Sequence, residues 1–134
     1  MKIFSVPYQL MFGKGYLLPL CDVHLLGSRG RVLVRTLVDS GATYSIFPRK
    51  AAEDAGINVP EAANQEIQYG SEKVMGKKMK VYVQLGDKRW NAEVIFVERL
   101  AFSYGLLGRK GIFNQFNEVT FLEKSKVPRV EFRW

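Results

Sequence analysis

Residues 39–41 form the motif with the clearest chemical potential. An apolar segment, residues 33–38, leads directly to Asp39, and a serine and a glycine follow. Asp-Ser-Gly is also a favourable turn sequence, so the three residues alone fit a simple turn. A turn does not account for the flanks, because a buried-looking strand delivers the carboxylate and residues 46–48 continue towards a predicted helix. We therefore interpret Asp39 as a candidate catalytic carboxylate.

A second motif, later in the chain, consists of Leu106, Leu107, Gly108 and Arg109. An apolar pair, a glycine and an arginine stand directly before a predicted short helix. Taken alone, this motif fits a buried strand that ends at a glycine. Each motif has an ordinary structural explanation, but the two together are difficult to explain in that way.

Other kinds of catalytic or metal site are poorly supported. The chain has one cysteine, Cys21, and one histidine, His24, so one copy contains neither a disulfide framework nor a thiolate pair or histidine cluster for a metal. A Cys/His nucleophilic pair is disfavoured because residues three apart on a strand face opposite sides. We expect Cys21 to be a buried apolar residue, and we expect no metal and no cofactor.

Length and composition indicate an ordinary globular chain. Its 134 residues, with 47% hydrophobic and 25% charged residues, fit one domain covering residues 1–134. No apolar run is long enough to span a membrane, and the N-terminus does not resemble an export signal. We expect a cytoplasmic location and no membrane partner.

The net charge of +7 is concentrated in the second half of the chain, above all in residues 72–89. A basic stripe of this kind can bind phosphate groups, or it can be the solvated face of a hairpin. Lysine dominates the stripe, and aromatic residues do not alternate with arginine as a base-stacking surface would require. We favour the solvated hairpin and expect no nucleic-acid partner.

The elements that must position the two motifs are mostly short strands. Apolar runs separated by glycine and proline are typical of a β-rich domain. We predict hairpin turns at residues 27–30 and 86–88, and helices at residues 48–55 and 110–116. Strands are predicted at residues 16–26, 31–38, 81–85, 90–97, 119–122 and 130–134.

In this order, the two motifs closely resemble those of the retropepsin-like aspartic proteases, the single-domain family that includes the retroviral proteases. The matches are residues 37–43 and 106–109, and residues 67–83 occupy the place of the family's flap, a hairpin that closes over the substrate. The resemblance extends over about residues 17–122. It implies a mainly β fold, a small closed β-barrel-like acid protease with one or two short helices, acting as a homodimer.

The resemblance also implies an aspartic endopeptidase with Asp39 as the catalytic residue of each subunit. Two such carboxylates, one from each chain, would hold a water molecule and share one proton. The ionised carboxylate would act as general base on the water, and the protonated one would donate to the scissile carbonyl. The substrate would be a polypeptide in extended conformation.

The residues after Asp39 have supporting roles in the same resemblance. Gly41 lets the backbone approach the carboxylate, so that its N–H can point at it. Ser40 matches the position whose hydroxyl hydrogen-bonds across the dimer, and Thr43 completes the active-site loop. Ala42 offers no hydroxyl to the carboxylates, which predicts activity at mildly acidic to neutral pH.

The resemblance gives the second motif a structural role. Leu106, Leu107 and Gly108 are expected to pack beneath the Asp39 loop and support it from the core. Arg109 matches an arginine at the head of the family's last helix, where it is a structural ion-pairing residue.

The flap and the chain termini depart from the family or leave alternatives open. Tyr69, Gly70 and Ser71 are the expected substrate-binding residues of the flap, although this segment contains fewer glycines than family flaps usually do. Residues 2–10 and 130–134 are candidate edge strands, which could form a sheet shared between subunits or pair within one chain.

Two functions from other classes remain as alternatives to the endopeptidase. One is a non-catalytic peptide-binding or scaffold module with the same fold. The other is a small basic β-barrel that binds nucleic acid, which leaves Asp39 and Gly108 unexplained.

Overall fold

The computed structural model describes residues 1–10, 15–69, 71–100 and 104–134, with Tyr69 described by its backbone alone. Strands predominate, with one α-helix in the described chain. In order, the elements are β1 (Ile3–Pro7), β2 (Gln9–Leu10), β3 (Leu17–Leu18), β4 (Leu20–Gly27), β5 (Gly30–Val38), β6 (Ile46–Pro48), α1 (Arg49–Ala55), β7 (Gln65–Tyr69), β8 (Glu72–Leu85), β9 (Lys88–Val97), β10 (Gly105–Leu107), β11 (Glu118–Leu122) and β12 (Arg129–Arg133).

The largest sheet has the strand order β4-β5-β10-β6-β9-β8-β7, and β4 also pairs with β8. This additional pairing closes six strands into a ring, so the predicted closed, barrel-like fold is confirmed. The interior is filled by large apolar side chains, among them Leu25, Phe47 and Phe96, each at most 1% exposed. Their burial supplies the main stabilisation of the barrel.

Two hairpins of the barrel were predicted from glycine-containing turns. The β4–β5 turn is at the predicted place, since Gly27 pairs with Gly30. The β8–β9 turn has two residues rather than the predicted three, because Leu85 pairs with Lys88. Gly86 has a φ of 60°, a left-handed conformation that two-residue hairpin turns favour.

Of the two predicted helices, only the first forms. It ends as expected at Gly56, whose φ of 78° places it in the left-handed region. The prediction of a helix over residues 110–116 is wrong, since only a 3₁₀ turn, Phe113–Gln115, is present. Gly111 has a φ of 90°, which breaks a right-handed helix before its second turn. None of the helices in the described residues is long and apolar enough to cross a membrane.

The two chain termini pair with each other in a separate sheet of order β1-β12-β11. Of the two alternatives for these strands, the structure therefore shows pairing within one chain. Aromatic side chains fix this sheet to the barrel: the ring of Phe116 lies 5.1 Å from Phe132, 5.5 Å from Trp134 and 5.6 Å from Trp90. These offset and edge-to-face contacts add to the apolar burial.

Cys21 and His24 occupy opposite faces of β4. Cys21 points into the core and is 1% exposed, as predicted, whereas His24 is partly exposed. Burial, with a contribution from the charge of Asp22, raises the pKa of the Cys21 thiol to about 12. The thiol therefore stays protonated and does not act as a nucleophile.

Glu131 is held between two arginines of its own strand. Arg129 Nε lies 3.1 Å from its carboxylate, and the Arg133 guanidinium contacts its other oxygen. The hydrogen bond from Arg129, followed by that from Arg133 and the charges of both, lowers the pKa of the Glu131 carboxyl. A carboxyl with a lowered folded-state pKa contributes stability above its unfolded pKa, and this stability disappears as pH falls through the folded value.

We predict that Glu131→Gln lowers the free energy of unfolding at about pH 7, and that the deficit shrinks towards about pH 3, where the parent carboxyl is also protonated. Urea unfolding at both pH values measures this difference. Glu118→Gln is the matched control, because that carboxylate is 63% exposed and lies 3.6 Å from Arg133. An equal deficit for Glu131→Gln at both pH values would contradict the prediction.

Candidate active site

Asp39 stands at the end of β5, where β5 and β10 run side by side in parallel. Leu37 pairs with Leu106 and Val38 with Leu107, so the two sequence motifs meet. The pairing extends one residue further, since the Asp39 N–H donates to the Leu107 carbonyl at 3.0 Å. This pairing, with Val38 and Leu107 buried, thus fixes the backbone position of Asp39.

The loop after Asp39 turns back on the aspartate itself. The Gly41 N–H donates to Asp39 Oδ1 at 2.9 Å, which is the contact expected for this glycine. The Ala42 N–H donates to the Asp39 carbonyl at 3.1 Å. A hydrogen bond to a carboxylate is stronger than one between neutral groups, so Gly41 orients the Asp39 side chain.

The second motif holds the far side of this loop. The Arg109 N–H donates to the Ala42 carbonyl at 3.0 Å, and the Lys110 N–H donates to the Thr43 carbonyl at 2.8 Å. This approach requires a glycine at position 108, because a Cβ there would lie 2.3 Å from the Tyr44 carbonyl oxygen. The Asp39 loop and residues 108–110 therefore form one interlocked unit.

Ser45 completes the unit, although it is not among the site residues that the sequence predicts. Its side chain is buried, its hydroxyl donates to the Lys110 carbonyl at 2.9 Å, and it accepts from the Gly108 N–H at 3.0 Å. Without this hydroxyl, the Gly108 N–H and the Lys110 carbonyl would each lose this hydrogen bond. A lone serine directly before the apolar residues of β6 is the only sequence signal that indicates it.

Arg109 differs from the expectation of an ion pair. Its guanidinium Nη2 donates to Thr43 Oγ1 at 3.2 Å, and the side chain is exposed. Among the residues that the structure describes, Arg109 forms no ion pair with Asp or Glu. The partner of the guanidinium is the neutral Thr43 hydroxyl. It accepts a hydrogen bond from the arginine but does not balance its charge.

A cavity of about 480 Å³ lies between the Asp39 loop and β7. Ile46, Ile67 and Leu106 form its apolar wall. Thr43 and Tyr44, from the loop after Asp39, form a polar wall. The complete lining is Gly41, Ala42, Thr43, Tyr44, Ile46, Gln65, Glu66, Ile67, Gln68 and Leu106. The structure thus brings part of each motif to one cavity.

The hairpin of β7 and β8 stands where the flap was expected. Tyr69 pairs with Glu72, and Ser71 lies in the turn between the two strands. Ser71 is exposed, whereas Gly70 and the Tyr69 side chain lie outside the described residues. The cavity is lined by β7 rather than by this turn. Five other predicted site residues also lie outside its lining: Asp39, Ser40, Leu107, Gly108 and Arg109.

We predict that Ser45→Ala destabilises the chain by ~1–3 kcal/mol, because it leaves the buried Gly108 N–H without its partner and removes the hydrogen bond to the Lys110 carbonyl. Urea unfolding gives the measurement, with an unchanged denaturant slope showing that the folded structure is retained. Ser5→Ala, at an exposed position of β1, is the control. Equal stability of the two variants would show that Ser45 does not hold the loop.

Comparison with known proteins gives the family. A model of the family described as aspartyl protease matches residues 27–110, which is more than half of the chain and includes both motifs. No curated protein sequence matches the chain significantly.

Solved structures share the fold. A retropepsin-like aspartic protease from Rickettsia conorii aligns with a TM-score of 0.67 and 11% identity, covering 98% of this chain and 91% of that one. The protease of EIAV, in complex with the inhibitor HBY-793, aligns with a TM-score of 0.55 and 14% identity, covering 69% of this chain and 82% of that one. At these identities the likeness concerns the fold. The family match shows that the chain belongs to the aspartyl protease family, and its fold is that of the retropepsin-like aspartic proteases.

Proposed function

We propose that the protein acts as a homodimeric endopeptidase in which Asp39 of each chain supplies one of two catalytic carboxylates, with residues 1–134 as one protease domain. The observation that carries the proposal is the setting of Asp39. Its backbone is fixed by Leu107, its carboxylate accepts the Gly41 N–H at 2.9 Å, and its loop borders the cavity beneath β7. No cofactor takes part in the proposed chemistry.

The proposed reaction needs two carboxylates that share one proton. The ionised Asp39 takes a proton from the water molecule as the water oxygen attacks the scissile carbonyl carbon. The protonated Asp39 gives its proton to the carbonyl oxygen, which produces a tetrahedral diol. Transfer of a proton to the peptide nitrogen and cleavage of the C–N bond then release the two products.

The second carboxylate is proposed to come from a second copy of the chain. Within the described residues, the side-chain contact of Asp39 is with the Gly41 N–H, and no other carboxylate hydrogen-bonds to Asp39. A two-fold axis beside the loop would bring two identical Asp39 side chains together in an isologous interface. Ser40 is exposed at this position, where its hydroxyl would reach the partner loop.

The substrate is proposed to bind as an extended strand between the Asp39 loop and β7. In the described chain, β7 is the edge strand of the large sheet, so its outer backbone groups can pair with a peptide backbone. The apolar wall of Ile46, Ile67 and Leu106 suits an apolar substrate side chain. The β7–β8 hairpin, with Tyr69, Gly70 and Ser71 at its tip, would act as the flap.

We predict that Asp39→Asn reduces the rate of peptide cleavage by at least ~10²-fold, because it removes the general acid and base while keeping the shape of the side chain. The assay follows the release of peptides from an unfolded protein at mildly acidic to neutral pH. Asp87→Asn is the matched control, since Asp87 is exposed in the β8–β9 turn. Equal cleavage by Asp39→Asn and the parent chain would contradict the proposal.

A further inference from the structure

Two cations contact the residues that form the polar wall of the cavity. The wall residues are Thr43 and Tyr44. Arg109 Nη2 lies 3.2 Å from the Thr43 hydroxyl, and Lys110 Nζ lies 5.3 Å from the centre of the Tyr44 ring. Each of two successive wall residues is therefore in contact with its own positive charge.

Neither charge has an acidic partner at ion-pair distance among the described residues. Both side chains are exposed, and in the part of the chain that the structure describes neither Arg109 nor Lys110 forms an ion pair with Asp or Glu. The opposite wall is different. Its acidic residue, Glu66, has a cation of its own, with Lys73 Nζ 3.8 Å from Oε1. The cavity therefore has two cations without an ion-pair partner next to residues 43–44, whereas on β7 the charge of Glu66 is paired with Lys73.

We propose that Arg109 and Lys110 make the enzyme prefer substrates with an Asp or Glu side chain in the subsite next to Thr43 and Tyr44; this inference rests on the proposed endopeptidase function. The guanidinium has five N–H donors and the structure uses one of them on Thr43, so others are available for a carboxylate. The planar guanidinium suits a carboxylate geometrically, and the Lys110 ammonium adds a mobile point charge beside it.

The expected preference is moderate because both cations are exposed. Exposed ion pairs change an equilibrium constant by up to about fivefold, and salt weakens them. The preference of the parent enzyme should therefore decrease when the ionic strength rises from about 0.05 M to about 0.5 M, where the screening length is only a few ångströms. A preference based on shape or apolar contact would not respond in this way.

The test uses two peptides that are identical except for Glu or Gln in this subsite, chosen after a peptide library has identified a cleaved sequence. The measured quantity is the ratio of kcat/KM for the Glu and Gln peptides. We expect a ratio of about five for the parent enzyme, an intermediate ratio for Lys110→Gln, and a ratio of about one for the double variant Arg109→Gln with Lys110→Gln. Arg31→Gln, an exposed cation at the opposite end of β5 from Asp39, is the control and should keep the parent ratio.

Several outcomes separate this inference from the proposed function. If the parent enzyme cleaves both peptides equally, or if the double variant keeps the parent ratio, the inference is overturned and the endopeptidase function stands. If the double variant weakens dimerisation in sedimentation experiments without changing the ratio, the cations serve a carboxylate of the partner subunit, and the inference is again overturned. If the parent enzyme cleaves no peptide in the library, the proposed function fails instead.

Discussion

The hydrogen bond from the Asp39 N–H to the Leu107 carbonyl is the contact on which the site depends. It forms only because β5 and β10 lie parallel, with Leu37 next to Leu106 and the next pair, Val38 and Leu107, buried. The segments that follow the two strands depend on this alignment. The loop after Asp39 turns back through Gly41, and residues 108–110 hydrogen-bond to the loop from the other side. The geometry around Asp39 is therefore a consequence of barrel packing, and a change at Gly108 or Ser45 acts on Asp39 through the backbone.

The terminal sheet places a constraint on assembly. Strand β12 is central and paired on both edges, with β1 on one side and β11 on the other. A second chain can therefore extend this sheet only at β1 or β11, and cannot insert a strand next to β12 without displacing one. Under the proposed function, any sheet shared between the two subunits would therefore form through β1 or β11.

The sequence predicted the elements whose signals are local. The apolar runs and glycine turns located β4, β5 and β9, and the two motifs indicated which strand ends meet. Other features depend on tertiary context. Residues 72–80 are rich in lysine and have weak strand propensity, yet they extend β8 because β7 and β9 pair with them. The second helix fails because Gly111 adopts a left-handed conformation, and the role of Ser45 depends on backbone groups far away in sequence.

The central claim is that one active site contains Asp39 from two chains. The most direct measurement mixes the parent chain with the Asp39→Asn variant at constant total concentration, allows the subunits to exchange, and follows the cleavage rate against the parent fraction. If each site needs two aspartates, the rate falls with the square of that fraction, and an equal mixture keeps about one quarter of the parent rate. A linear decrease, with about one half of the rate remaining in the equal mixture, would show that each chain acts alone and would contradict the account.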